Sequence, residues 1–202
     1  MAQYARGKAK KDEIVREAMA VFAKHGYYEA SLRDISARVG ISHPGLLHHF
    51  PSKGHLLQAV LDARDAEDTA ILMPMLESGH DYIDAVVKLV EHNMERPGMV
   101  SLFSKLSAEA TDPQHPAHEY FARRYEKVLE GYTLYFMELN RQGLLSPSVD
   151  PTEAAKTFVA LLDGLQVLWL YSWRSGDPDR RVDMPQIVRR FLTTLQVIPE
   201  TI

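Results

Sequence analysis

Nine histidines and no cysteine bound the chemistry this chain could attempt. Histidine serves as a metal ligand, as a general acid or base, or as a hydrogen-bond donor to an anion. His25, His43, His48, His49 and His55 fall within the first 55 residues. His48 and His49 are adjacent, so on a helix they point around the axis instead of converging on one face. His115 and His118 are three apart but begin in the Pro-rich stretch Thr111 to Pro116, with no HExxH pattern and no partner carboxylate cluster. They read as a polar loop and a helix start. The sequence holds no Gly-rich phosphate loop, nucleophile elbow or cofactor fingerprint. The expectation is therefore no enzyme, no cofactor and no metal, and the lack of cysteine excludes disulfides and thiolate zinc sites.

Anion recognition remains, and its residues lie between Ser31 and Lys53. Ser31 caps a short helix, with Asp34 three residues on completing a capping-box pattern and Leu32, Ile35 and Val39 forming an apolar stripe. Gly40 supplies a left-handed helix end and Ile41 turns inward. Ser42 caps a second helix whose first turn tolerates Pro44, where a missing amide costs least. That helix is only about two turns long and needs neighbours to exist. Leu46 and Phe50 face inward, leaving His43, Gly45, Leu47, His48 and His49 outside. Arg33 and Lys53 each stand near a helix N-terminus, where the macrodipole disfavours a cation unless an external anion is bound. A short docked helix with outward polar groups, flanked by such cations, has the form of a helix-turn-helix clamped on a DNA backbone.

The charge distribution agrees. Residues 1–55 carry nine Lys and Arg against five Asp and Glu, while the rest carries fourteen against twenty-two, within an overall net charge of −4. The basic end is thus local. Arg6, Lys8, Lys10 and Lys11 add a basic tail able to follow a nucleic-acid backbone. With no apolar run behind it, the tail is not a secretory signal, and a cytoplasmic protein is expected.

Ser31-Leu32-Arg33-Asp34-Ile35-Ser36, Val39-Gly40-Ile41-Ser42 and His48-His49-Phe50-Pro51-Ser52-Lys53 together resemble the DNA-binding domain of the TetR family of transcriptional regulators, over roughly residues 10 to 60. The resemblance implies an all-helical homodimer that binds operator DNA, usually as a repressor, and is released by a small molecule in its C-terminal domain. By position, Ser31, Ser42 and Lys53 match backbone-contact residues, and His43, Pro44, Gly45, His48 and His49 occupy the recognition helix. Gly45 stands where the family often has Thr, Leu47 and His49 where it often has Tyr, and Ser36 where Ala is common. The histidine pair can donate to guanine acceptors or to phosphate.

These residues need elements to hold them. From Ile14 the pattern turns helical, with Ile14, Ala18 and Phe22 on one stripe and Gly26 ending it. A long helix follows Ser52, with Leu56, Leu57, Val60 and Leu61 covering the head, and Pro74 is expected to bend or end it. The domain boundary falls inside that helix: residues 1–62 form the DNA-binding head and 63–202 an effector-binding and dimerisation domain, giving an all-α fold of about nine helices. His80 to Arg96 is amphipathic, Met99, Phe103 and Leu106 mark a shorter helix, and Ala117 to Leu145 carries a long aromatic stripe closed by Gly143. Asp150-Pro151-Thr152-Glu153 starts a helix that is apolar nearly all round from Phe158 to Trp173. It is either a central core helix or one shared with another subunit, and Asp163 and Gln166 in its middle rule out a membrane span. A last helix follows Asp183.

Two such closing helices meeting their symmetry mates would make a four-helix interface, expected to use Phe158, Leu162, Leu165, Ile187, Phe191 and Leu195. Two half-sites would also give one short recognition helix the specificity it lacks alone. For an effector, Met94, Phe103, Tyr125, Tyr132 and Trp169 are the expected lining, which favours a hydrophobic or aromatic small molecule. The rival reading is a helical small-molecule-binding or interaction protein without sequence-specific DNA binding, for which Pro44, Gly45 and Leu47 argue. Salt-dependent binding to DNA separates the two.

Overall fold

The computed structural model describes residues 2–79, 81–174 and 177–196, with the side chains of 2–6 and of Pro178 excepted. Among these residues it is all-α: α1 (Ala2–Glu29), α2 (Leu32–Val39), α3 (His43–His49), α4 (Lys53–Glu77), α5 (Tyr82–Met94), α6 (Pro97–Glu109), α7 (His118–Arg141), α8 (Pro151–Ser172) and α9 (Met184–Leu195). The only β-type pairing among them is one isolated antiparallel bridge between Leu145 and Gln196. No described helix is long and apolar enough to cross a membrane. The chain forms two compact units, Met1–Ala70 with Arg96–Tyr120, and Ile71–Glu95 with Phe121–Ile202.

In the first unit α1 supplies Ile14, Ala18 and Phe22 to a core that Ile35, Val39, Leu46, Leu56, Leu57 and Val60 complete from α2, α3 and α4. Helix α6 lies along α1, and α2 packs on both α1 and α3. Two expectations need correction. Helix α1 begins at Ala2, twelve residues before the apolar stripe, because the Ala-, Lys- and Arg-rich start is a good helix former. Gly26 interrupts it at φ 76°, ψ 173°, and helical turns resume to Glu29. Helix α4 runs through Pro74 to Glu77, and Ser78 Oγ donates to the carbonyls of Pro74 (2.8 Å) and Met75 (2.9 Å) at its end.

A buried charge cluster holds α4 against α6. Arg64 and Asp68 are 4% and 5% exposed and lie 3.4 Å apart, and the Arg64 guanidinium sits 3.7 Å from the Phe103 ring centroid. Glu67 pairs with Arg96 at the start of α6. Charges survive burial only when paired and hydrogen-bonded.

In the second unit α9 packs on α5 and α8. Asp150 accepts from the amides of Thr152 and Glu153, both at 2.9 Å, and Asp183 accepts from that of Gln186 at 3.0 Å, so both closing helices start on aspartate caps. His80 lies outside the described residues, and α5 starts on an Asp81 cap instead. The core face of α9 is Met184, Val188 and Leu192, with Ile187, Phe191 and Leu195 half-buried beside it. Phe158 has no exposed surface and stacks on Phe191 at 6.0 Å, and Leu165 is also buried. These two therefore fill the core of their own chain. The apolar side chains that α8 leaves open are Val167, Leu168 and Tyr171, at 42%, 57% and 86% exposure.

Candidate nucleic-acid interface

Local physics sets the recognition segment. Ser31 Oγ accepts from the amides of Arg33 (3.2 Å) and Asp34 (3.4 Å), closing the start of α2. Gly40 ends it at φ 72°, a left-handed value that costs any residue with a Cβ, and Ile41 donates its amide to Ser36 O. Ser42 Oγ accepts from Gly45 N at 3.1 Å to start α3. A Cβ at position 45 would lie 3.1 Å from that hydroxyl, so the glycine leaves the cap undisturbed. Leu46 and Phe50 anchor α3 inward.

The outward side holds the expected recognition residues together. Pro44 and His48 are exposed, and His43, Gly45, Leu47 and His49 are half-exposed. The His48 and His49 rings lie 5.8 Å apart, edge to face. His43 keeps a ring nitrogen, Nδ1, without a hydrogen-bond partner among the described residues. Burial pushes the His49 imidazole below its ordinary 6.5, with His48, Lys11 and Lys10 adding repulsion. Lysines from α1 thus reinforce the positive field around α3. Lys10 is partly engaged, paired with Glu13 at 2.7 Å and 3.5 Å from Val39 O, whereas Lys8 and Lys11 are exposed. The Arg6 side chain lies outside the described residues.

The flanking cations differ. Arg33 is exposed on the first turn of α2. Lys53 begins α4 and is held: its Nζ donates to Tyr28 O at 2.8 Å and sits 4.8 Å from the Tyr27 ring centroid. Burial pulls its pKa below the ordinary lysine range, with Glu29 acting the other way. Sequence reasoning missed Tyr27 and Tyr28. The aromatic pair directly after Gly26 was their only signal.

The expected effector residues separate. Phe103 belongs to the first unit, beneath Arg64. In the second unit Tyr125 donates to Asp163 Oδ2 at 2.7 Å, while Tyr132 is buried edge-on to Phe158 at 4.8 Å. Burial pushes the Tyr132 pKa upward, with Tyr82 and Asp163 adding to the effect. Trp169 is buried and stacks on Trp173 at 6.1 Å, and Met94 is half-buried. Asp163 is a polar group in this region that the aromatic stripe did not announce.

Residues 14–60 match the family described as bacterial regulatory proteins, tetR family. Residues 83–197, more than half of the chain, match the BetI-type transcriptional repressor C-terminal family. The chain belongs to the tetR family of bacterial regulators. This tetR-family chain is a DNA-binding transcriptional regulator, as the resemblance implied. It is 26% identical over 203 residues to the A-factor receptor protein of Streptomyces griseus, covering 96% of this chain and 67% of that one. It is 26% identical over 185 residues to the regulator TtgR of Pseudomonas putida, covering 85% and 87%. A transcriptional regulator from Saccharomonospora viridis, solved in complex with choline, shares the fold at a TM-score of 0.79 and 22% identity, with 95% and 100% covered. Salmonella enterica GusR shares it at 0.70 and 24%, with 93% and 95% covered.

Proposed function

We propose that this regulator is a ligand-responsive repressor that binds a palindromic operator as a homodimer. The observation that carries the reading is the grouping in one unit of the α3 surface, His43, Pro44, Gly45, His48 and His49, with Ser31, Arg33, Ser42 and Lys53 around it. The serines and cations contact phosphates and fix register, and the histidines read base edges. The DNA-binding role belongs to residues 1–62 and the effector and partner roles to the remainder of the chain, although residues 63–70 and 96–120 pack in the same compact unit as the head.

Val167, Leu168 and Tyr171 support a dimer through α8, because large apolar side chains grouped at helical spacing on one exposed face need cover. Leu162, Ile187, Phe191 and Leu195, half-buried, border that interface from α8 and α9. The effector contacts Tyr125, Tyr132, Trp169 and Met94. Aromatic faces beside the Asp163 carboxylate suit a hydrophobic or aromatic molecule bearing a positive charge. Choline, bound by the Saccharomonospora viridis regulator, is accordingly the first compound to try.

Mobility-shift titration of a duplex selected from random DNA tests the reading. The expected result is tight, salt-sensitive binding of an inverted repeat, with a compound from a thermal-shift screen weakening it. Weak, sequence-blind binding at low salt would leave only the rival reading of a helical module without operator recognition.

A further inference from the structure

Lys53 is a cation at the first position of α4, where the field of the helix opposes it. Two contacts hold it there, the Tyr28 carbonyl at 2.8 Å and the face of Tyr27 at 4.8 Å. Neither tyrosine stands alone. Tyr27 and Tyr28 meet edge-on at 5.4 Å, and the His115 ring stands edge-on to both, at 5.6 Å and 5.8 Å. The His115 side chain is 1% exposed, although it comes from the loop between α6 and α7.

That loop is itself fixed. His115 Nδ1 accepts from Ala117 N at 3.1 Å, which places the ring proton of the neutral imidazole on Nε2, 3.7 Å from Glu109 Oε2 on α6. A Cβ built on Gly54 would lie 3.5 Å from Pro116 Cβ, so the loop also touches the first turn of α4. His115 Nε2 finds no hydrogen-bond partner among the described residues, so burying this ring is costly and its packing on the two tyrosines has to offset that cost.

We propose that His115 and Tyr27 are positioning residues for Lys53: the loop between α6 and α7 braces the two tyrosines, and Tyr27 sets where the lysine ammonium stands. The inference rests on the reading of Lys53 as a phosphate contact. Through it, the segment leading into α7 gains a hold on DNA affinity without touching DNA, since α7 begins three residues after His115 and continues into the second unit.

The test is fluorescence anisotropy of the full chain on the selected duplex across a range of salt. Lys53→Ala should flatten the plot of log affinity against log salt by about 0.9 for each phosphate that the lysine no longer neutralises. His115→Asn keeps an acceptor for the Ala117 amide but removes the ring. It should flatten the plot in the same direction, have no further effect when added to Lys53→Ala, and be rescued by His115→Phe, which restores an edge. Tyr27→Leu should do the same, and it decides the matter if the His115 variants fail to fold. Folded His115 and Tyr27 variants with an unchanged slope, beside a Lys53→Ala that lowers it, would overturn the positioning role and leave Lys53 as a phosphate contact. A loss that adds to that of Lys53→Ala would overturn it too, since His115 would then act elsewhere. An unchanged slope in Lys53→Ala would overturn the phosphate reading, and the positioning role with it.

Discussion

At the scale of single residues, the surface around α3 divides into groups that carry charge and groups that carry information. Lys53→Ala should weaken binding to every duplex alike and reduce its salt dependence, whereas His49→Ala should change the ranking of sequences at nearly constant salt dependence. Competition titrations against base-substituted duplexes separate the two outcomes. His49 also sets a pH dependence with opposite signs in the free and bound protein. Burial and neighbouring cations hold its pKa below 6.5 in the free chain. The unfolded chain therefore binds more protons, and the stability contributed is lost as pH falls through the folded value. A guanine acceptor favours the protonated ring, so DNA affinity should rise as pH is lowered from about 8 toward about 6. His49→Gln should abolish that rise in an anisotropy titration. The caps and outward histidines were legible because such signals are local. Tyr27 and His115 were not, since a loop histidine three residues from another reads as solvated until the fold buries it between two tyrosines.

Elements show where local signals mislead. Helix α2, its turn and α3 follow from Ser31, Gly40 and Ser42, each acting within four residues of itself. The start of α1 at Ala2 has no apolar period to announce it, and only propensity supports it. Pro74 removes the amide that would pair with the Ala70 carbonyl, yet α4 continues three residues beyond it to Glu77. The energetics of the elements are open to measurement by denaturant titration. Asp150→Ala removes the acceptor for two amides at the start of α8 and should cost about 1 kcal/mol without altering DNA preference. Asp68→Ala leaves Arg64 buried beside Phe103 without its i+4 carboxylate and should cost about 3 kcal/mol. A neutral Asp68→Ala would mean that water reaches this pair.

For the whole molecule, the helix-turn-helix was readable from one 23-residue stretch because it carries its own punctuation, and the all-helical regulator followed from the family resemblance of that head. The surface proposed for a dimer was harder. A helix apolar all round does not say which stripe serves its own core, and Phe158 and Leu165 turned inward while Val167, Leu168 and Tyr171 remained open. Leu168→Glu should leave the fold intact and shift the chain from dimer to monomer in sedimentation equilibrium, with operator affinity falling at least tenfold because both half-sites are no longer held together (~1.4 kcal/mol or more). In the proposed function α3, doubled by symmetry, reads an operator. Selection of bound duplexes from random DNA tests it most directly. The expected result is enrichment of an inverted repeat whose half-site centres lie about 10 base pairs or a multiple apart, with the preferred bases altered in His49→Ala and retained but bound more weakly in Lys53→Ala. No enriched sequence, or an enriched site without two-fold symmetry, would contradict it.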